Sequence, residues 1–249
     1  MEVTIFTLYS NRPDFIKLQK ECFRKHLKDE FKWIVANNEG NAFDKSFAVE
    51  EECLEEDIEC LKIDHSLKNK EVSRLVVDSL NFLWQNKIKD MKGLVVIMDS
   101  DLFLTQDVSF AELLKDHDMF FCPNYTNGLI WPWPGFMGFD MDKIVAKDVS
   151  FELLELNGIW ADVGSAFNTY IQKHNPKINL IPRHEIVEQD YPVYNIGKTL
   201  YELGFPKPYS VDFLPFAFHY KTGSNYAKHC SVEYNLAKTE ALLKVMSWK

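Results

Sequence analysis

The run "GLVVIMD" (93–99) constrains this chain more than any other stretch. Leu94 to Met98 are apolar without a break. A strand with one wet face alternates apolar and polar residues. A strand without alternation is buried on both faces, as in the middle of a parallel sheet covered by helices on either side. The run ends in Asp99, and Asp101 follows after one residue. In open α/β sheets, ligands gather at the carboxyl ends of the strands. The two carboxylates therefore fall where chemistry is expected, and they share a direction wherever the chain stays extended. Two like charges this close oppose one another. A divalent cation removes that opposition, and hard oxygen ligands suit Mg2+ or Mn2+. The structural alternative is a turn in which Asp and Ser cap backbone N–H groups.

The flanking segments alternate between strand and helix patterns. "VTIFTLY" (3–9) reads as a buried strand, and "SNRPD" breaks it and caps a helix over 13–28 with Phe15, Leu18, Cys22 and Phe23 on one face. "KWIVAN" (32–37) and "CLKID" (60–64) read as further strands. Between them, residues 47–60 carry seven acids around Phe47, Cys53, Leu54 and Ile58, the pattern of a solvated helix face. Residues 69–88 form a strongly amphipathic helix with Val72, Leu75, Val76, Leu80, Leu83 and Trp84 aligned. Further helices are expected at 109–116, 162–174, 195–203 and 231–247. The fold class is α/β. With no repeat, low-complexity tract or linker in 249 residues, one domain over 1–249 is the expectation.

Composition excludes several partners. Apolar residues make up 46% and charged residues 26%, which suits a soluble chain with a real core. A net charge of -9 repels phosphate backbones, so nucleic acid is not expected. Five scattered cysteines without a CxxC pair point to reduced thiols. "MEVTIFTLYS" reads as a first strand rather than a signal peptide, and no run reaches the ~18 apolar residues of a membrane span. A cytoplasmic location is expected.

"VVIMDSD" resembles the DxD motif of nucleotide-sugar-dependent glycosyltransferases with the GT-A fold. The resemblance implies a Rossmann-like, mostly parallel sheet flanked by helices. It also implies a metal on Asp99 and Asp101 that bridges the donor diphosphate, with Ser100 beside the donor. Further stretches match the family in order. "SRLVVDSLNFLW" (73–84) resembles its Arg-containing helix, making Arg74 and Asp78 candidate contacts to diphosphate and sugar; a surface ion pair at i, i+4 is the alternative. "PWPGFMGFDMD" (132–142) resembles the segment where a Gly admits the donor sugar, here Gly135. Trp131 and Trp133 are candidates to stack on acceptor rings, against core packing as the alternative. "WADVGSAFNTYI" (160–171) resembles "DQxxLN", with Asp162 at a helix N-terminus and Val163 where that stretch has Gln. "FHYKTGSNY" (218–226) resembles an "HxxGxxKPW" segment: His219 becomes the third metal ligand, and Lys221, Ser224 and Asn225 stand on the phosphate side, without Lys-Pro-Trp. In "FTLYSNR" (6–12), Tyr9 would stack on the base, and Ser10 or Arg12 would bond ribose or diphosphate.

The resemblance implies a nucleotide-binding half up to about residue 105 and an acceptor-binding, metal-completing half after it. The expected activity is metal-dependent transfer of a sugar from a nucleoside-diphosphate sugar to a hydroxyl acceptor, a glycan. UDP-sugars are favoured as donor and GDP-sugars are the alternative. An inverting enzyme needs a carboxylate to take the acceptor proton, Asp162 first and Asp140 second; a retaining one would use Asp162 to position substrate. Two other readings share the DxD: a HAD-type phosphatase, and a catalytically silent nucleotide-sugar-fold protein that binds a glycan or partner.

Overall fold

The computed structural model describes residues 2–9, 12–38, 46–63, 72–126, 128–156, 159–186 and 211–220. The helices expected at 195–203 and 231–247 lie outside them, as do Ser10, Lys221, Ser224 and Asn225.

Thirteen strands are described: β1 (Val3–Tyr9), β2 (Phe31–Asn37), β3 (Glu59–Lys62), β4 (Leu94–Asp99), β5 (Leu102–Leu104), β6 (Met119–Thr126), β7 (Leu129–Asp140), β8 (Glu155–Leu156), β9 (Ile159–Trp160), β10 (Ile178–Leu180), β11 (His184–Ile186), β12 (Val211–Leu214) and β13 (Ala217–His219). Five α-helices accompany them: α1 (Asp14–His26), α2 (Ser46–Glu55), α3 (Val72–Leu83), α4 (Phe110–Leu114) and α5 (Phe167–His174). Seven strands form one sheet in the order β10-β6-β7-β4-β1-β2-β3. Neighbours β1, β2, β3 and β4 pair in parallel through crossovers that hold α1, α2 and α3. Only β7 runs against the rest, paired antiparallel with both β4 and β6. A second sheet, β11-β12-β13-β5, is antiparallel throughout.

The non-alternating run behaves as its chemistry requires. Leu94, Val96 and Met98 of β4 enter one core with α1 and α4, while Val95 and Ile97 enter the other with α3 and α5. The helix expected at 69–88 continues past α3 as a π-turn over Trp84–Ile88, where the Lys89 N–H bonds to the Trp84 carbonyl. This wider turn accompanies a fully buried indole that donates to the Ala146 carbonyl at 2.8 Å. On α2, Val49 and Cys53 are buried, but Leu54 is 83% exposed rather than part of the inward face. The described cysteines Cys22, Cys53, Cys60 and Cys122 are free thiols.

The aromatic segment 128–141, which carries no clear pattern of its own, becomes the long strand β7. Its glycines are seats for rings. A Cβ on Gly138 would lie 2.2 Å from the Phe120 ring, and one on Gly135 would lie 2.1 Å from the Trp133 indole. Phe120 in turn packs on Phe136 with centroids 5.3 Å apart, in the core beside β4. Gly138→Ala is therefore expected to cost about 1–3 kcal/mol through overpacking. Chemical denaturation should show this loss, with Phe120→Leu in the same chain recovering part of it.

Candidate metal and donor site

The site forms where the chain leaves one sheet for the other. β4 ends at Asp99 on the carboxyl edge of the parallel strands, and Ser100 and Asp101 form a turn before β5 begins. The chain therefore does not stay extended through the DxD. The turn is held by Gln19 of α1, a fully buried amide whose Nε2 donates to the Asp99 and Leu102 carbonyls, each at 2.9 Å. Its Oε1 accepts from the Tyr9 hydroxyl at 2.8 Å. One side chain thus joins the last carbonyl of β4 to the first of β5.

β5 pairs antiparallel with β13, which sets His219 against Leu102. The Tyr220 N–H donates to the Asp101 carbonyl at 2.8 Å. This pairing delivers the imidazole to the carboxylate: His219 Nε2 lies 3.2 Å from Asp101 Oδ1, and the two residues are buried. One ligand atom each from Asp99, Asp101 and His219 lie within 4.8 Å of one another. Two carboxylates and an imidazole at that spacing fit a divalent cation of the Mn2+ or Mg2+ type.

Electrostatics support the same reading. Two unit charges 4.8 Å apart repel by roughly 3–4 kcal/mol at an effective dielectric of about 20. Without an ion, a proton relieves this. Burial first, and the Asp101 charge second, push the Asp99 carboxyl up to about 7, while His219 and Arg183 pull in the opposite direction.

Of the other expected residues, some stand at this rim. Ser79 of α3 donates to the Asn38 side chain at 2.6 Å just beyond β2, so the first turns of α3 overhang the carboxyl edge. Arg74 there pairs with Glu152 at 3.2 Å, and Asp78 is half-buried. Ser100 is buried within the turn itself. Trp133 is half-buried and packs edge-on to His219, centroids 4.7 Å apart. Asp162 is exposed, but it does not open a helix. Its carboxylate accepts from the Val163 N–H at 2.7 Å, and residues 163–166 are turns ahead of α5. Gly164, at φ +81°, lets this loop settle on β7 at the Pro132 carbonyl, beside Pro134 and Trp131.

Other expectations are corrected. Tyr9 is fully buried with its hydroxyl on Gln19, so it offers no face to a base. Arg12 is 1% exposed, doubly bonded to Asp14 and stacked 3.7 Å over Phe15, so it braces the start of α1 rather than a ribose or diphosphate. Trp131 is buried in the α3–α5 core, away from any acceptor. At Gly135 the space that a donor sugar would need is filled by Trp133. Asp140 pairs with Leu94 at the start of β4, the opposite edge from Asp99, and is bound to Lys143 at 2.9 Å. Gln19, Asn124 and Arg183 escaped the sequence reading.

No protein-family model matches the chain, and no curated protein matches it in sequence. Solved structures similar to it include the mannosyltransferase PcManGT from Pyrobaculum calidifontis in complex with GDP-Man and Mn2+, at 12% identity and TM-score 0.49, over 81% of this chain and 61% of that one. Another is S. aureus TarS 1–349 in complex with UDP-GlcNAc, at 12% identity and TM-score 0.43, over 72% and 56%. A third is the nucleoside-diphosphate-sugar pyrophosphorylase from Vibrio cholerae RC9, at 13% identity and TM-score 0.38, over 72% and 92%. The chain thus spans less than two thirds of the two transferases. Among the described residues no helix is long and apolar enough to cross a membrane.

Two outcomes follow from the site. In EDTA, Asp99 holds its proton to about pH 7 when folded but ionises near 3.8 when unfolded. Between those values the folded state binds more protons, so this group's contribution to stability falls as pH rises from about 4 through 7. Asp99→Asn should lack that decline, and its stability relative to wild type should rise with pH in paired denaturation curves. Gln19→Leu should lose about 2–3 kcal/mol, because two buried carbonyls and the Tyr9 hydroxyl lose their partner. Its Mn2+ affinity by titration calorimetry should fall with it.

Proposed function

We propose that this chain is a metal-dependent glycosyltransferase that moves a sugar from a nucleoside-diphosphate sugar, a UDP-sugar in first place and a GDP-sugar in second, to a hydroxyl of a glycan acceptor. The observation that carries the proposal is the convergence of Asp99, Asp101 and His219 at the carboxyl edge of the parallel strands. The two aspartates come from one motif and His219 from another more than a hundred residues later, and both motifs were expected there from their resemblance. The sheet order, with helices on both faces, supports this reading, because sheets of this kind bind ligands at the carboxyl ends of their strands.

Asp99, Asp101 and His219 would hold Mn2+ or Mg2+. A bound ion would supply Lewis-acid chemistry, offsetting charge on the leaving nucleoside diphosphate. Arg74 and Asp78, on the overhanging turns of α3, would contact diphosphate and sugar, with Ser100 beside them. Lys221, Ser224 and Asn225 begin one residue after Tyr220, which is tied to Asp101, and would serve the phosphate side. Trp133 would border the acceptor. Asp162, the exposed carboxylate of the loop on Pro132, would accept the acceptor proton in an inverting reaction or position substrate in a retaining one.

The test is nucleoside diphosphate release from UDP- and GDP-sugars, with Mn2+ and with EDTA. Slow, metal-dependent release is expected. Asp101→Asn should reduce it by more than roughly 100-fold, since losing even a ligand's hydrogen-bonded partner costs 10–100-fold. The fold should survive that substitution, as read by circular dichroism. Turnover of a generic phosphomonoester alone would point to a phosphatase. Donor binding without release would point to a silent binding protein.

A further inference from the structure

The large and small sheets are joined a second time by the chain between Ile181 and His184. β10 runs parallel to β6, and the Ile181 N–H bonds to the Phe121 carbonyl; after Pro182 and Arg183 the chain enters β11 of the small sheet. Since β6 and β4 are both antiparallel to β7, β10 ends at the same edge as β4. The first passage carries Asp99 and Asp101; the second carries Arg183.

Arg183 is held in place there. Its guanidinium carbon lies 4.5 Å from the centroid of the Trp133 ring, and that indole packs against His219. Nη2 donates to Asn124 Oδ1 at 3.0 Å. This bond turns the rest of the Asn124 amide into a donor. Asn124 Nδ2 is buried and has no hydrogen-bond partner among the described residues. Buried donors are ordinarily bonded, so this one marks a place for an acceptor atom.

Charge counting gives the kind of acceptor. A divalent ion cancels Asp99 and Asp101, and a ligating imidazole is neutral. Arg183 would then bring its cation beside the ligands with neither aspartate left to neutralise it, on a chain whose net charge is -9. A planar fork of N–H groups suits phosphate oxygens. We infer that Arg183, braced by Trp133 and Asn124, receives the diphosphate of the nucleotide-sugar donor beside the metal ligands, with Asn124 Nδ2 giving a second hydrogen bond to it. This inference rests on the function proposed above.

The experiment is calorimetric titration of wild type, Arg183→Ala and Arg183→Lys with Mn2+ alone, then with UDP or GDP at saturating Mn2+, and with uridine or guanosine as phosphate-free controls. Loss of a charge-assisted contact should weaken diphosphate binding on the order of 10- to 100-fold in Arg183→Ala. Mn2+ alone should bind that variant as tightly as wild type or more tightly, because a neighbouring cation is gone. Arg183→Lys, which keeps the charge without the fork, should fall between. A merely structural Arg183 would instead weaken metal and nucleotide together, and that pattern overturns the inference. Equal diphosphate affinity in wild type and Arg183→Ala overturns it too, while leaving the proposed function standing. Wild-type protein that binds Mn2+ but neither diphosphate would remove the proposed function, and this inference with it. If Arg183→Ala fails to fold, Arg183→Lys and Asn124→Asp carry the same comparison. Asn124→Asp places a carboxylate against the diphosphate and should weaken it without weakening Mn2+.

Discussion

The reversal of the chain between Asp99 and Leu102 is the constraint on which the rest of the site depends. There the central strand of a seven-stranded sheet becomes the edge of a four-stranded one. A single buried amide, Gln19, spans the reversal and is itself fixed by Tyr9. Because β5 then takes up β13 as its partner, the imidazole of His219 is placed by backbone pairing rather than by a flexible loop. Ligand positions set by strands are held more tightly than positions on loops.

The same reversal gathers charge that the fold alone does not neutralise. Asp101 and His219 are almost wholly out of water, and the half-buried Asp99 beside them has its carboxyl pushed up to about 7. A proton and a divalent cation are alternative answers to one electrostatic problem. Loss of the Asp99 proton would leave both carboxylates charged, the state that a divalent cation would offset.

Much of this was legible because it follows from apolar runs and strand ends. β1 matches its expected span, and β2 and β4 match to within a residue, since unbroken apolar segments leave little choice. Asp99, Asp101 and His219 stood out because each sits where an apolar strand stops. The misread residues share a different cause. The exposure of Tyr9, Trp131 and Gly135 is decided by neighbours distant in sequence, and local pattern cannot report it. Asp140 was misplaced because β7 runs against the sheet, which carries its end away from the rim. Asp162 lost its helix because Gly164 adopts a left-handed backbone that stops the helical turn from forming earlier. Gln19 looked like one more polar residue on an amphipathic helix, and Arg183 like a lone cation in a connection.

The placement of His219 on a late hairpin has a consequence for how the protein comes into being. The first four parallel strands are complete before residue 100, and they close through contacts of moderate sequence separation. The pairing of β5 with β13 closes a far longer loop, and such contacts are slow to form. During synthesis the aspartates therefore emerge well before the histidine exists, so the cluster of three is completed late, only once β13 has been made.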